Sequence, residues 1–153
     1  MTEATELARA VVAARARLID IIGRCSEEQW VSCPLGADDP RPVGVIIDHV
    51  ADAYEYLGSF VSQITRGEAV EVSSDIVDEL NARHAVASAP TRESALAHLE
   101  RSGDAFVALI EPLGAPQLSS GAGRVTITRF AEIAALHADT HRVELETALG
   151  PAT

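Results

Sequence analysis

Residues 135–145 read ALHADTHRVEL, and the fold turns on how that stretch is placed. Written on a helix, it continues an apolar seam of Phe130, Ile133 and Ala134, then inserts His137 and His141 before resuming at Leu145 and Ala148. Side chains four apart on a helix stand on one face with Cβ atoms about 5–6 Å apart. The two imidazoles therefore project side by side where packing requires apolar groups. The pattern predicts a helix from near Thr126 or Thr128 to Gly150-Pro151, carrying two polar rings into a core.

Helical periodicity recurs upstream. A first helix is expected over Glu3 to Gly23, with Leu7, Val11, Ala14, Leu18, Ile21 and Ile22 inward and Gly23 as its stop. The segment RCSEEQWVSCPLGADDPRP follows as a loop, its lone tryptophan, Trp30, plugging one end of the core. Pro42 suits the first turn of a second long helix. That helix has Ile46, His49, Val50, Ala53, Leu57, Phe60, Val61 and Ile64 on one stripe, so a third histidine lies in a seam. A short helix capped by Ser74 covers SDIVDELNARHAVAS. A longer one capped by Thr91 turns Leu96, Leu99, Phe106, Val107 and Ile110 inward. APQLSSGAGR reads as a flexible loop, and RVTIT as a lone strand candidate that could not form a sheet by itself. The expected fold is all-α: a four-helix bundle with one short extra helix, residues 1–153 forming one domain.

Bulk composition agrees. The 153 residues are 47% hydrophobic and only 4% aromatic, which favours helices packed through small and aliphatic residues over a β-sandwich. A net charge of −11 opposes phosphate backbones and anionic lipid, so neither nucleic acid nor membrane is an expected partner. No run reaches the roughly 18 apolar residues of a membrane span, and the N-terminus lacks the pattern of a signal peptide. A cytoplasmic location is expected, with Cys25 and Cys33 reduced, one as a buried thiol and the other in a loop.

Three histidines in apolar seams pose a chemical problem. A neutral imidazole carries one donor and one acceptor, and leaving a buried polar group unmet costs about 1–3 kcal/mol. A divalent ion solves this by taking a lone pair from each ring, and three protein ligands leave positions open for water or substrate. If the second and last helices are neighbours, His49 meets His137 and His141. His84 and His98 read as solvated or supporting groups outside the ligand set. Asp52, one turn after His49, reads as an exposed carboxylate, or as a base if the site hydrolyses its substrate.

The segments DHVADAYEYL, LNARHA and LHADTHRVEL, in this order and spacing, resemble the DinB-like superfamily, which includes the damage-inducible DinB proteins and the metal-binding domain of mycothiol-dependent maleylpyruvate isomerases. The resemblance covers nearly the whole chain. It implies a four-helix bundle, often a homodimer, and a zinc- or nickel-type divalent ion held by His49, His137 and His141. It also implies a low-molecular-weight thiol such as mycothiol or bacillithiol, used against a small-molecule substrate. RPVGVII stands where many relatives carry an aromatic residue before the first histidine helix, and the chain has no room for the isomerases' second domain. The expected activity is a metal-dependent thiol S-transferase or isomerase. A metal-dependent hydrolase and a non-enzymatic, stress-linked metal- or thiol-binding protein are the alternatives.

Overall fold

In a computed structural model that describes residues 1–150, the histidine-bearing seams belong to adjacent helices. The chain forms α1 (Glu3–Arg24), α2 (Glu27–Val31), α3 (Val43–Thr65), α4 (Ser74–Ala85), α5 (Arg92–Ile110), α6 (Ala115–Leu118), β1 (Gly121–Ala122), β2 (Val125–Thr126) and α7 (Ile127–Leu149). The four long helices form a ring in which α3 packs on α5 and α7, and α1 on α7 and α5. The fold is thus an all-α bundle, with α4 attached mainly to the outside of α3.

Small residues explain the close α1–α7 pairing. Ala4, Ala8 and Ala14 on α1, and Ala131, Ala134 and Ala138 on α7, are all buried. The larger volume comes from Leu18, Ile22, Ile46, Tyr54, Phe106 and Phe130. Phe60 stacks on Phe130 with centroids 5.5 Å apart, tying α3 to α7. No described helix is long and apolar enough to cross a membrane.

Helix starts follow their local chemistry. The side chains of Thr2, Thr91 and Thr126 accept from the backbone N–H groups of Thr5, Ser94 and Arg129. Other ends differ from the sequence expectation. α1 runs one residue past Gly23, and Pro42 lies just before α3 instead of inside its first turn. Ser73, not Ser74, precedes α4 and makes no side-chain cap. α7 ends at Leu149 with Gly150 at φ 79°; Pro151, the expected stop, lies outside the described residues. Ala148, expected in the seam, is exposed.

Two expected loops contain structure. Ser26 and Gln29 form a reciprocal capping box that starts α2 inside the first of them. In the second, α6 is followed by a small antiparallel hairpin, Gly121 opposite Thr126 and Ala122 opposite Val125. The strand read as lone therefore has a partner. Gly123 takes the turn at φ 62°, and Gly121 has no side chain where the Val125 carbonyl approaches.

Trp30 does close one end of the core. It is 3% exposed, its Nε1–H donates to the Pro90 carbonyl at 2.8 Å, and the Arg92 guanidinium lies 5.2 Å from its ring centre. Gly44, in the first turn of α3, lies so close that a Cβ there would stand 2.9 Å from the indole. Because the ring is pinned on both sides, Gly44→Ala should destabilise the protein by about 1–3 kcal/mol through overpacking. Trp30→Ala should cost about 3–5 kcal/mol. Urea denaturation followed by circular dichroism measures both.

Candidate metal centre

The α3–α7 contact brings His49 against His137 and His141. His49 Nε2 lies 3.0 Å from His137 Nε2, and His141 Nε2 lies 3.2 Å from the same atom. One nitrogen from each of the three rings falls within 4.8 Å of the others, a group that could hold a metal ion. Tetrahedral bonds of about 2.0–2.1 Å would hold ligand nitrogens about 3.3 Å apart, close to the spacing of the two nearest pairs. The donor chemistry therefore fits a divalent cation of the zinc or nickel kind.

The far sides of the rings are held differently. His141 Nδ1 faces the Glu144 carboxylate at 2.7 Å. An ionised carboxylate only accepts, so Nδ1 carries the proton and the inward Nε2 offers a lone pair. His49 Nδ1 lies 3.2 Å from His84 Nδ1, and His84 Nε2 lies 2.7 Å from Asp52 Oδ2. His137 Nδ1 is buried and has no protein partner, so no hydrogen bond fixes the far side of that ring.

Of the two readings of His84, solvated or supporting, the structure has the second: the residue is 8% exposed and meets His49. Its short polar helix concealed this, because His84 is the one buried residue of α4. Asp52 is half-buried and engaged, not an exposed carboxylate. His98 is also paired rather than solvated, with Nδ1 2.6 Å from Asp48 and Nε2 2.9 Å from Glu55. With Asp52 and Glu55 it makes a second convergent group, but its two ring nitrogens are already committed to carboxylates.

Glu144 is not among the residues expected from the sequence, although its spacing three residues after His141 is a legible i, i+3 signal. Arg41, bonded to Asp39 at 2.7 and 2.8 Å, is not among them either; its charge reaches the trio from the loop before α3. No local sequence pattern marks that approach.

Electrostatics favour the ligating form. Burial, then the neighbouring charges of His137 and Arg41, lowers His49 to about 2. Burial, followed by His141 and Arg41, lowers His137 to about 4. His141 is lowered as well, burial outweighing its bond to Glu144. At neutral pH all three rings are uncharged, with lone pairs available.

A cavity of about 190 Å³ opens against His49 and His137, walled largely by apolar side chains that include Leu57, Leu80 and Ile133. Tyr56 also lines it, and the Tyr56 hydroxyl is buried without a hydrogen-bond partner.

The acid response of the metal-free protein follows from these shifts. Unfolded histidine titrates near pH 6.5, whereas folded His137 and His49 stay neutral down to about 4 and about 2. The unfolded chain thus binds more protons between those limits, and stability falls as pH drops from about 6.5. His98 has the opposite sign. Burial works against its charge, but Asp48 and Glu55 prevail and raise it, so its contribution is full below pH 6.5 and is lost as pH rises through its folded value. The urea midpoint of metal-free protein should therefore drop between about pH 6.5 and 5, and His137→Gln should flatten that slope. An unchanged slope in the variant would contradict the assignment.

Neither a curated protein nor a solved structure gives a match to this chain. The sequence model of the DinB superfamily matches residues 10–145, a span that holds all three clustered histidines, all of α3 and most of α7. The chain belongs to the DinB superfamily.

Proposed function

We propose that this protein binds a divalent ion through His49, His137 and His141 and acts as a thiol-dependent S-transferase or isomerase on a small, largely apolar electrophile. One observation carries the reading: three imidazole nitrogens converge, and two of their rings, His49 and His137, line an apolar cavity. A divalent ion bound there would deprotonate a coordinated low-molecular-weight thiol, and a thiolate is the nucleophilic form of sulfur.

The chain's own residues divide the remaining work. Glu144 holds His141 with its lone pair inward. Leu57, Leu80 and Ile133 exclude water and favour an apolar substrate portion. A comparable cavity of about 150 Å³ accepts benzene, so one ring or a short branched chain sets the scale. Burial raises the Tyr56 phenol above its ordinary range, which keeps its O–H as a donor to a substrate carbonyl or leaving group.

No cysteine, serine or threonine is among the described residues lining this cavity, which supports a nucleophile brought by a cofactor. Cys25 is buried, and the Cys33 thiol is turned to the Pro40 carbonyl at 3.0 Å. The hydrolytic alternative needs a free carboxylate base, and Asp52 already accepts from His84. The homodimer implied by the resemblance and the cytoplasmic location expected from the sequence belong to the same proposal.

The test is conjugation of a fluorogenic apolar electrophile with mycothiol, bacillithiol, cysteine and glutathione, before and after chelation and zinc or nickel reloading. Turnover with at least one thiol should require the metal. His49→Ala, His137→Ala and His141→Ala should each lose both tight metal binding and turnover. Equal rates in chelated protein, or in the triple variant, would overturn the reading. Metal binding without turnover with any thiol would favour a binding protein.

A further inference from the structure

His84 is the one buried residue among the twelve of α4. Ile76 and Val77 on the same helix remain 41% and 42% exposed. On this helix the deepest-set side chain is an imidazole, and it is held by hydrogen bonds. Both of its ring nitrogens are used: Nε2 meets Asp52 Oδ2 at 2.7 Å and Nδ1 meets His49 Nδ1 at 3.2 Å.

The order of donors along this chain follows from its last member. The Asp52 carboxylate accepts only, so His84 Nε2 carries the proton that joins them. His84 Nδ1 is then bare and accepts from His49 Nδ1–H. That fixes His49 with Nε2 unprotonated, and this is the nitrogen 3.0 Å from His137 Nε2. Two residues from α3 and α4 thus select which His49 nitrogen bears a lone pair. Glu144 does the same for His141 from within α7.

We propose that the Asp52–His84 pair is a positioning device for the metal centre: it locks His49 in the Nδ1–H tautomer and aims its Nε2 lone pair at the ion. This rests on the metal-site reading above. Partners that orient a ligating imidazole contribute about 10- to 100-fold to metal affinity.

Two measurements test it. Nitrogen-15 NMR of the imidazoles in metal-free protein should show His49 protonated at Nδ1. Zinc affinity, from competition with a chromophoric chelator, should fall about 10- to 100-fold in His84→Leu, whose side chain fills the space but cannot accept. His84→Gln should recover most of that loss, because its carbonyl can accept from His49 while its amide donates to Asp52. Wild-type affinity in His84→Leu, or His49 protonated at Nε2 in the native protein, would overturn the proposal. Failure of His84→Gln to improve on His84→Leu would do the same. If native protein bound no zinc, the metal-site reading would fall, and the NMR tautomer would still decide whether the lock exists.

Discussion

Three imidazole nitrogens face one another inside a helical bundle, and protons alone cannot satisfy them all. His137 Nε2 lies within hydrogen-bond distance of two other Nε2 atoms, yet one ring nitrogen can donate or accept, not both. Adding charge would not relieve the frustration, since burial and mutual repulsion oppose a proton on any of the rings. A cation that accepts lone pairs answers the same geometry with one partner.

That arrangement depends on helix pairing. α7 contributes two histidines from successive turns, which needs only helical geometry. The third comes from α3 and reaches them because α3 and α7 are neighbours in the ring, held by packing such as Phe60 on Phe130. α3 also carries Asp52 one turn beyond His49, and Asp52 receives His84 from α4. The outermost helix is therefore attached through the same network that surrounds the histidine trio. α4 also contributes Leu80 to the cavity wall, so the short helix borders both the site's polar chemistry and its apolar opening.

The two histidine groups that border α3 illustrate how similar residues acquire different roles. The trio sits where burial outweighs nearby acids and the imidazoles stay neutral. His98, nearby across α3 and α5, meets Asp48 and Glu55, and there the acids outweigh burial. Neutral rings suit ligation; a charged ring suits an ion pair. Identity of the side chain is common to both, and the balance between desolvation and partner charge separates them.

Sequence alone determined the long helices, because a 3.6-residue apolar period and threonine caps are local properties of the chain. It also determined which three histidines lie in seams, because a seam is read from spacing within one helix. Ser26 with Gln29 and His141 with Glu144 were equally local, and were legible in principle from three-residue spacing. Tertiary structure decided the remainder. The approach of His49 to α7, the burial of His84 beneath a polar helix, and the arrival of Arg41 from a loop all join segments distant in sequence. Pairing of Val125–Thr126 with Gly121–Ala122 likewise required a turn at Gly123 that composition read as flexibility. Periodicity reports which face of a helix avoids water, but not which neighbour covers it; hydrogen bonds such as His49–His84–Asp52 exist only once that neighbour is in place.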